Sequence, residues 1–256
     1  EEGAVKAMVD ELLIKYPGAT ITISNNGFTP YPGMPENVIQ IDRFPKLESR
    51  MAQLEFFIVL LFKGKFAFTK EARKFIRALK EADVVLHAPG GPSIGDTYFK
   101  AEKLYLWRLN LIRRMGIPYI FYALSMGPFN CTSRNKLRKE VISGAERIVL
   151  RDPISVKYVK DFLPGVEVEQ ALASALQHDI DIDKNERKYN NYPELKNFIE
   201  NHEKCIGITI TDLKWHPVHK NEKIIEQIPT AFKAFITQKV KEGYGVVFIP
   251  QLYGHL

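Results

Sequence analysis

Cysteine is scarce in this chain. Cys131 and Cys205 are the only two, with no CxxC pair and no histidine spacing suited to zinc, so they read as free cytosolic thiols and not as a disulfide framework or a zinc module. Long apolar runs are missing too. The longest, FFIVLLF at 56–62, is far short of the ~20 residues that cross a bilayer, and no signal peptide leads the chain. No GxGxxG follows a strand and no GxxxxGK occurs, so the dinucleotide and ATP phosphate-loop signatures are both absent. Lys and Arg are scattered through helical stretches without an aromatic-interleaved ribbon, which argues against nucleic acid as a partner.

What is present is ordinary globular composition: 256 residues, 45% hydrophobic and 26% charged. The length exceeds the ~100 to 150 residues usual for one domain, so two are expected. Lys plus Arg outnumber Asp plus Glu by 36 to 30, a net charge of +6. That excess favours anionic partners such as phosphorylated small molecules or an anionic membrane face.

The chain alternates strand and helix. EEGAVKAMVDELLIKYP reads as a helix already under way, with Val5, Met8, Val9, Leu12 and Leu13 on its apolar face, and GYGVVFIPQLYGHL ends as a strand entering a loop. Both ends therefore read as cut, with a preceding strand and part of a second domain expected outside the sequence. Between them come strands at 20–24, 82–88, 117–125, 147–152 and 166–170. Pro30, Pro32, Gly33 and Pro35 mark a long loop, and helices are expected over 47–82, 97–116, 134–144 and 154–163. Such alternation implies βαβ crossovers and parallel sheets. The polar stretch 179–204 reads as an interdomain linker between an N-terminal Rossmann-like domain (1–178) and the start of a second (205–256). The expected fold is α/β, two Rossmann-like domains with parallel sheets facing across a cleft.

Ligands of such sheets bind beyond the carboxyl ends of the strands. GGPSIGD (90–96), SMGPF (125–129), RDPIS (151–155), TDLKWH (211–216) and PQLYGH (250–255) all follow predicted strands. Glycine lets backbone amides approach an anion, and helix N-termini add partial positive charge. Arg151 ends an apolar strand, where a guanidinium suits a bidentate grip on carboxylate or phosphate. Asp152 either caps the next helix through Ser155 or orients Arg151; alternatively the two form an ion pair with no substrate role.

These residues resemble the polysaccharide pyruvyl transferases. The resemblance lies in the order of EEGAV, VVLHAPGG with the following Asp96, ALSMGPF, RIVLRDPIS, SALQ and VVFIPQLYG, and it covers nearly the whole chain. It implies twin Rossmann-like halves of the GT-B glycosyltransferase kind. It also implies transfer of an enolpyruvyl group from phosphoenolpyruvate to a sugar hydroxyl as a ketal. Arg151 takes the place of the family's arginine and Glu1 that of an acid which is usually aspartate. The family histidine lies beyond Leu256, and Ala173 stands where an Asp commonly precedes the serine.

That chemistry needs a general acid, a base and cationic grips, with no cofactor and no metal. Arg151 would bind the donor's carboxylate or phosphate. The amides of Gly90, Gly91 and Gly127 and the Ser125 hydroxyl would line the same pocket, and Asp96 or Glu1 would orient the acceptor. Asp152, Ser155, Gln251, Tyr253 and His255 complete the candidate set, His255 being preferred over His216 and His219, and Trp215 or Tyr253 could stack on a sugar ring. Each has a plainer reading. The Gly pair would form a turn, Asp96 would cap a helix near Thr97, Gly127-Pro128 would end a strand, and His87 would be a hydrogen-bonded core residue. The expected partners are phosphoenolpyruvate and a glycan or lipid-linked acceptor. The expected setting is the cytoplasm, with peripheral association at the membrane's cytoplasmic face and homo-oligomerisation both compatible with it. Two other functions remain open: a nucleotide-sugar glycosyltransferase on the same fold, and a non-catalytic binding relative, to which Ala173 points.

Overall fold

The computed structural model describes residues 2–24, 30–31, 33–45, 49–88, 93–97, 99–177, 181–210 and 222–249. The chain divides into two compact units, Glu1–His178 and Asp179–Leu256.

The first unit opens with α1 (Glu2–Lys15), whose Val5, Met8 and Val9 are buried as the spacing predicts. Val5 and Val9 pack with Val38 in a small cluster over a parallel pair, β1 (Ile21–Ser24) and β2 (Val38–Ile41). Strand β2 lies within the region that reads as loop in the sequence. Its Val-Ile-Gln-Ile run is short and follows three prolines, so the turn signals mask it.

The helical stretch 47–82 is two helices, α2 (Arg50–Leu61) and α3 (Lys70–Glu81). Ser49 and Thr69 cap them, each side chain accepting from the amide three residues on. The break follows from Lys63 and Gly64, both at positive φ, which a continuing helix cannot accommodate.

Beyond α3 runs a four-stranded parallel sheet, β3 (Val85–His87), β4 (Tyr119–Leu124), β5 (Arg147–Leu150) and β6 (Glu169–Gln170), hydrogen-bonded in that order. Its crossovers are α4 (Phe99–Met115), α5 (Asn135–Ser143) and α6 (Pro153–Phe162). One core joins them, with Phe56, Leu106, Phe121, Leu124, Ile142 and Leu150 fully buried. Each such side chain contributes about 1.5–3 kcal/mol by leaving water. The α/β alternation with parallel sheets is therefore as expected.

The second unit contains α7 (Ile182–Asn190) and α8 (Pro193–Glu200), then a parallel pair, β7 (Cys205–Ile208) and β8 (Gly245–Phe248), joined through α9 (Glu222–Lys241). The stretch expected to be a linker with a turn or two of helix thus holds two capped or proline-started helices, Asp181 accepting from the Lys184 amide and Pro193 starting α8. Among the described residues no helix is long and apolar enough to cross a membrane.

Candidate functional site

The site is built where β3, β4 and β5 end. Strand β4 carries a bulge: its pairing with β5 runs Tyr122 to Val149 and then Leu124 to Leu150, with Ala123 left over at a φ of 52°. Left-handed backbone is unfavourable for alanine, so long-range pairing holds it there. The extra residue puts Ser125 level with Arg151, where an unbroken register would put Leu124. Arg151 Nε then donates to Ser125 Oγ at 2.9 Å, and Ser125 Oγ donates to Asp152 Oδ2 at 2.7 Å.

Asp152 also caps α6. Its Oδ1 accepts from the Ser155 amide at 2.7 Å, Oδ2 accepts from Ser155 Oγ at 2.8 Å, and Pro153 supplies the first helical residue. Ser155 is buried, and its Oγ in turn accepts from the Met126 amide at 2.9 Å. Partial burial would raise the Asp152 carboxyl, but hydrogen bonds from Ser155 and Ser125 and the charge of Arg151 outweigh it and hold the group below the usual aspartate range. Asp152 therefore both caps the helix and steers Arg151 through Ser125. The alternative in which Arg151 and Asp152 form a direct ion pair is not what the side chains do. Among the described residues, Arg151 takes its side-chain hydrogen bond through Nε.

The segment after β3 folds back onto the one after β4. Ile94 bridges Met126, Gly127 N donates to Ile94 O at 2.8 Å, and Asp96 N donates to Pro128 O at 2.8 Å. Glycine is required at two points. A Cβ on Gly95 would lie 2.7 Å from Gly127 backbone, and one on Gly127, at φ +88°, would lie 2.7 Å from the Tyr158 ring.

Asp96 reaches the same edge, but its carboxylate is already engaged. Oδ2 accepts from the Asn130 and Cys131 amides at 2.7 and 3.0 Å, and Oδ1 accepts from Arg138 Nη2 at 2.8 Å. It is a clasp between the two loops, and the helix expected to begin near Thr97 begins instead at Phe99. Beneath it, Glu102 Oε1 accepts from the Gly95 amide at 2.8 Å and from Arg138 Nε at 2.7 Å. Both side chains are fully buried.

His87, at the end of β3, pairs its Nε2 with Ser93 Oγ at 2.8 Å and meets Tyr105 and Phe121 edge-on. Burial, with Arg108 nearby, lowers its pKa to about 4, so the ring is neutral at physiological pH. The hydrogen-bonded core reading of His87 fits this arrangement.

The structure thus brings together Arg151, Ser125, Asp152, Ser155, Gly127 and Asp96. Glu1, Gly90, Gly91, Gln251, Tyr253 and His255 lie outside the described residues, as do Trp215, His216 and His219. Close to Glu1 in sequence, the Ala4 carbonyl accepts from buried Ser174, beside Ala173, at 3.1 Å. Glu102, Arg138 and Ser93 were not singled out from the sequence. A signal existed for two of them: Glu102 shares the apolar stripe of α4 with Leu106 and Leu109, and Arg138 that of α5 with Val141 and Ile142. A charge on a buried stripe requires a partner. Among the described residues no cluster of three or more His, Cys, Asp or Glu could hold a metal ion.

Over residues 4–252 the sequence matches the polysaccharide pyruvyl transferase family. The chain belongs to that family. No curated protein and no solved structure matches it. In this transferase, Arg151 of the RDPIS segment stands at the sheet edge on Ser125 of the SMGPF segment, so two of the stretches that carried the family resemblance meet in space.

Proposed function

We propose that this transferase takes phosphoenolpyruvate as donor and joins its pyruvyl group, as a ketal, to hydroxyls of a cell-surface polysaccharide or its lipid-linked precursor. The observation that carries the reading is the guanidinium of Arg151, fixed through Nε by Ser125 at the carboxyl edge of the sheet. A planar fork anchored at Nε presents its terminal nitrogens to an anion, and phosphoenolpyruvate offers both a carboxylate and a phosphate.

Protonation of the donor's methylene carbon makes C2 oxocarbenium-like. One sugar hydroxyl forms a bond to C2 and gives up its proton, the C2–O bond to phosphate breaks with its electron pair on the phosphate, and a second hydroxyl closes the ketal. Diol and phosphoenolpyruvate thus become ketal and inorganic phosphate. Arg151 is suited to hold the donor and to stabilise charge on the departing phosphate. Gly127 gives the loop its close approach, and Asp96 holds that loop in place. Glu1, Gly90, Gly91 and His255 enter this reading on sequence grounds, as do the paired Rossmann-like halves and the cytoplasmic setting.

The test is thermal stabilisation of the protein by phosphoenolpyruvate and by nucleotide sugars, followed by phosphate release with mixed glycan acceptors. We expect stabilisation by phosphoenolpyruvate and a drop of roughly 100-fold or more in kcat/KM for Arg151→Ala. Stabilisation by nucleotide sugars alone would assign a glycosyltransferase. Equal rates for wild type and Arg151→Ala would remove Arg151 from the reaction, and no release with any acceptor would favour a binding relative.

A further inference from the structure

Helix α2 is apolar on both faces. Phe56 and Val59 enter the core, while Leu54, Phe57 and Leu61 point the other way and are 56%, 49% and 64% exposed. The connection to α3 continues the exposed face with Phe62, Phe66 and Phe68, the first two in edge-on contact at 5.0 Å. This is a built surface and not a frayed loop. Glu55, buried in α2, accepts from the Phe68 and Thr69 amides at 2.6 and 2.7 Å and from Thr69 Oγ1 at 2.7 Å, which pins the connection against the helix. Single exposed apolar residues are commonplace, but six on adjoining elements mark an interaction site.

The charge beside them selects the partner. Lys63 and Lys65 stand among the phenylalanines, and Lys70, Arg73, Lys74, Arg77 and Lys80 are exposed along α3, with Glu71 the only acid between 62 and 80. Phe44 ties the helices together, its ring 5.8 Å from both Phe56 of α2 and Phe75 of α3. A second copy of the chain bound through this face would set two such cationic groups against each other. An anionic bilayer complements them instead, with aromatic and aliphatic side chains at the acyl boundary and lysine and arginine at the headgroups.

We propose that α2, the 62–69 connection and the basic face of α3 form a docking surface for an anionic lipid bilayer. The surface does not rest on the reaction proposed above. It holds the protein at the membrane by insertion of Phe62, Phe66 and Phe68, together with attraction of the neighbouring cations.

The experiment is co-sedimentation of the full chain with vesicles of phosphatidylcholine containing about one-third phosphatidylglycerol, against vesicles of phosphatidylcholine alone. Binding is expected to the anionic vesicles and to fall as salt is raised. Phe66→Ser/Phe68→Ser and Lys63→Glu/Lys65→Glu are each expected to weaken it at least about tenfold with the melting temperature kept. Wild-type protein that stays in the supernatant, or variants that bind like wild type, would overturn the proposal. Should a variant fail to fold, quenching by acyl-brominated lipid is read in a Trp215→Phe protein, where Trp107, 5.0 Å from Phe57, is the remaining tryptophan. Quenching is expected, and its absence counts against docking. A dimer in sedimentation velocity that Phe66→Ser/Phe68→Ser dissociates, without vesicle binding, would assign the face to a second copy.

Discussion

Glu102 and Arg138 meet with neither side chain exposed, Arg138 Nε donating to Oε1 at 2.7 Å and Nη2 to Oε2 at 3.0 Å. Through the Gly95 amide and the Asp96 carboxylate, this pair fixes the loop that lies against Gly127. Glu102 also accepts from Arg134 at 3.1 Å and Arg138 also donates to Asp96 at 2.8 Å, so breaking the pair from one side disturbs a buried network and leaves the remaining charge only partly compensated. Arg138→Met and Glu102→Gln are each expected to cost about 3 kcal/mol or more in urea-induced unfolding. A loss below about 1 kcal/mol would mean that water reaches the pair and replaces the missing partner.

Gly95→Ala and Gly127→Ala should both destabilise, by about 2 kcal/mol or more, because a Cβ meets atoms at 2.7 Å in each case. The obstacles differ in kind. At Gly127 the obstacles are the ring and the Cβ of Tyr158 together with the left-handed backbone, so adding Tyr158→Ala, which removes the ring and leaves the Cβ at 2.8 Å, should recover only a part of the loss. At Gly95 the obstacle is backbone, and the same addition should recover nothing. Thermal melts of the four proteins read the difference, and equal rescue at both positions would contradict the packing.

Stability should fall in mild acid because of His87. Its folded pKa of about 4 is depressed from 6.5, so below pH 6.5 the unfolded chain takes up a proton that the folded one refuses. The contribution is complete above about pH 6.5 and is lost as pH drops towards 4, to a limit of about 3 kcal/mol. Urea midpoints across that window should slope for wild type and slope less for His87→Gln. Parallel curves would show that the imidazole is already solvated.

In the proposed reaction Ser125 and Asp152 act as positioning residues for Arg151, so their effects should separate from those of Arg151 itself. Ser125→Ala removes the hydroxyl that Arg151 and Asp152 share, and is expected to raise KM for phosphoenolpyruvate about tenfold or more with a stability loss near 1 kcal/mol. Asp152→Asn keeps a good helix cap. Because the Asp152 carboxyl lies below the usual aspartate range, its stabilising effect is present above about pH 4 and is lost on further acidification. The gap between wild type and Asp152→Asn should therefore close in strong acid, measured by urea unfolding from pH 7 downward. A gap that is constant with pH would deny the carboxylate its charge role.

Strand–helix alternation, the buried face of α1 and the place of Arg151 at the end of β5 could be read from the sequence because periodicity, capping and strand ends depend on neighbours a few residues away. Strand β2 could not, since its four residues become a strand only by pairing with β1. The work of Asp96 could not either: its partner Arg138 lies 42 positions on, and an Asp near a helix start looks the same whether it caps that helix or clasps another loop. The clearest case is Ala123. Nothing local asks an alanine for a left-handed backbone, yet the pairing of β4 with β5 imposes it, and that single extra residue sets Ser125 against Arg151. The sequence alone determined which side chains arrive at the sheet edge. Tertiary pairing decided which of them touch, because contact there is set by register between strands far apart in the chain.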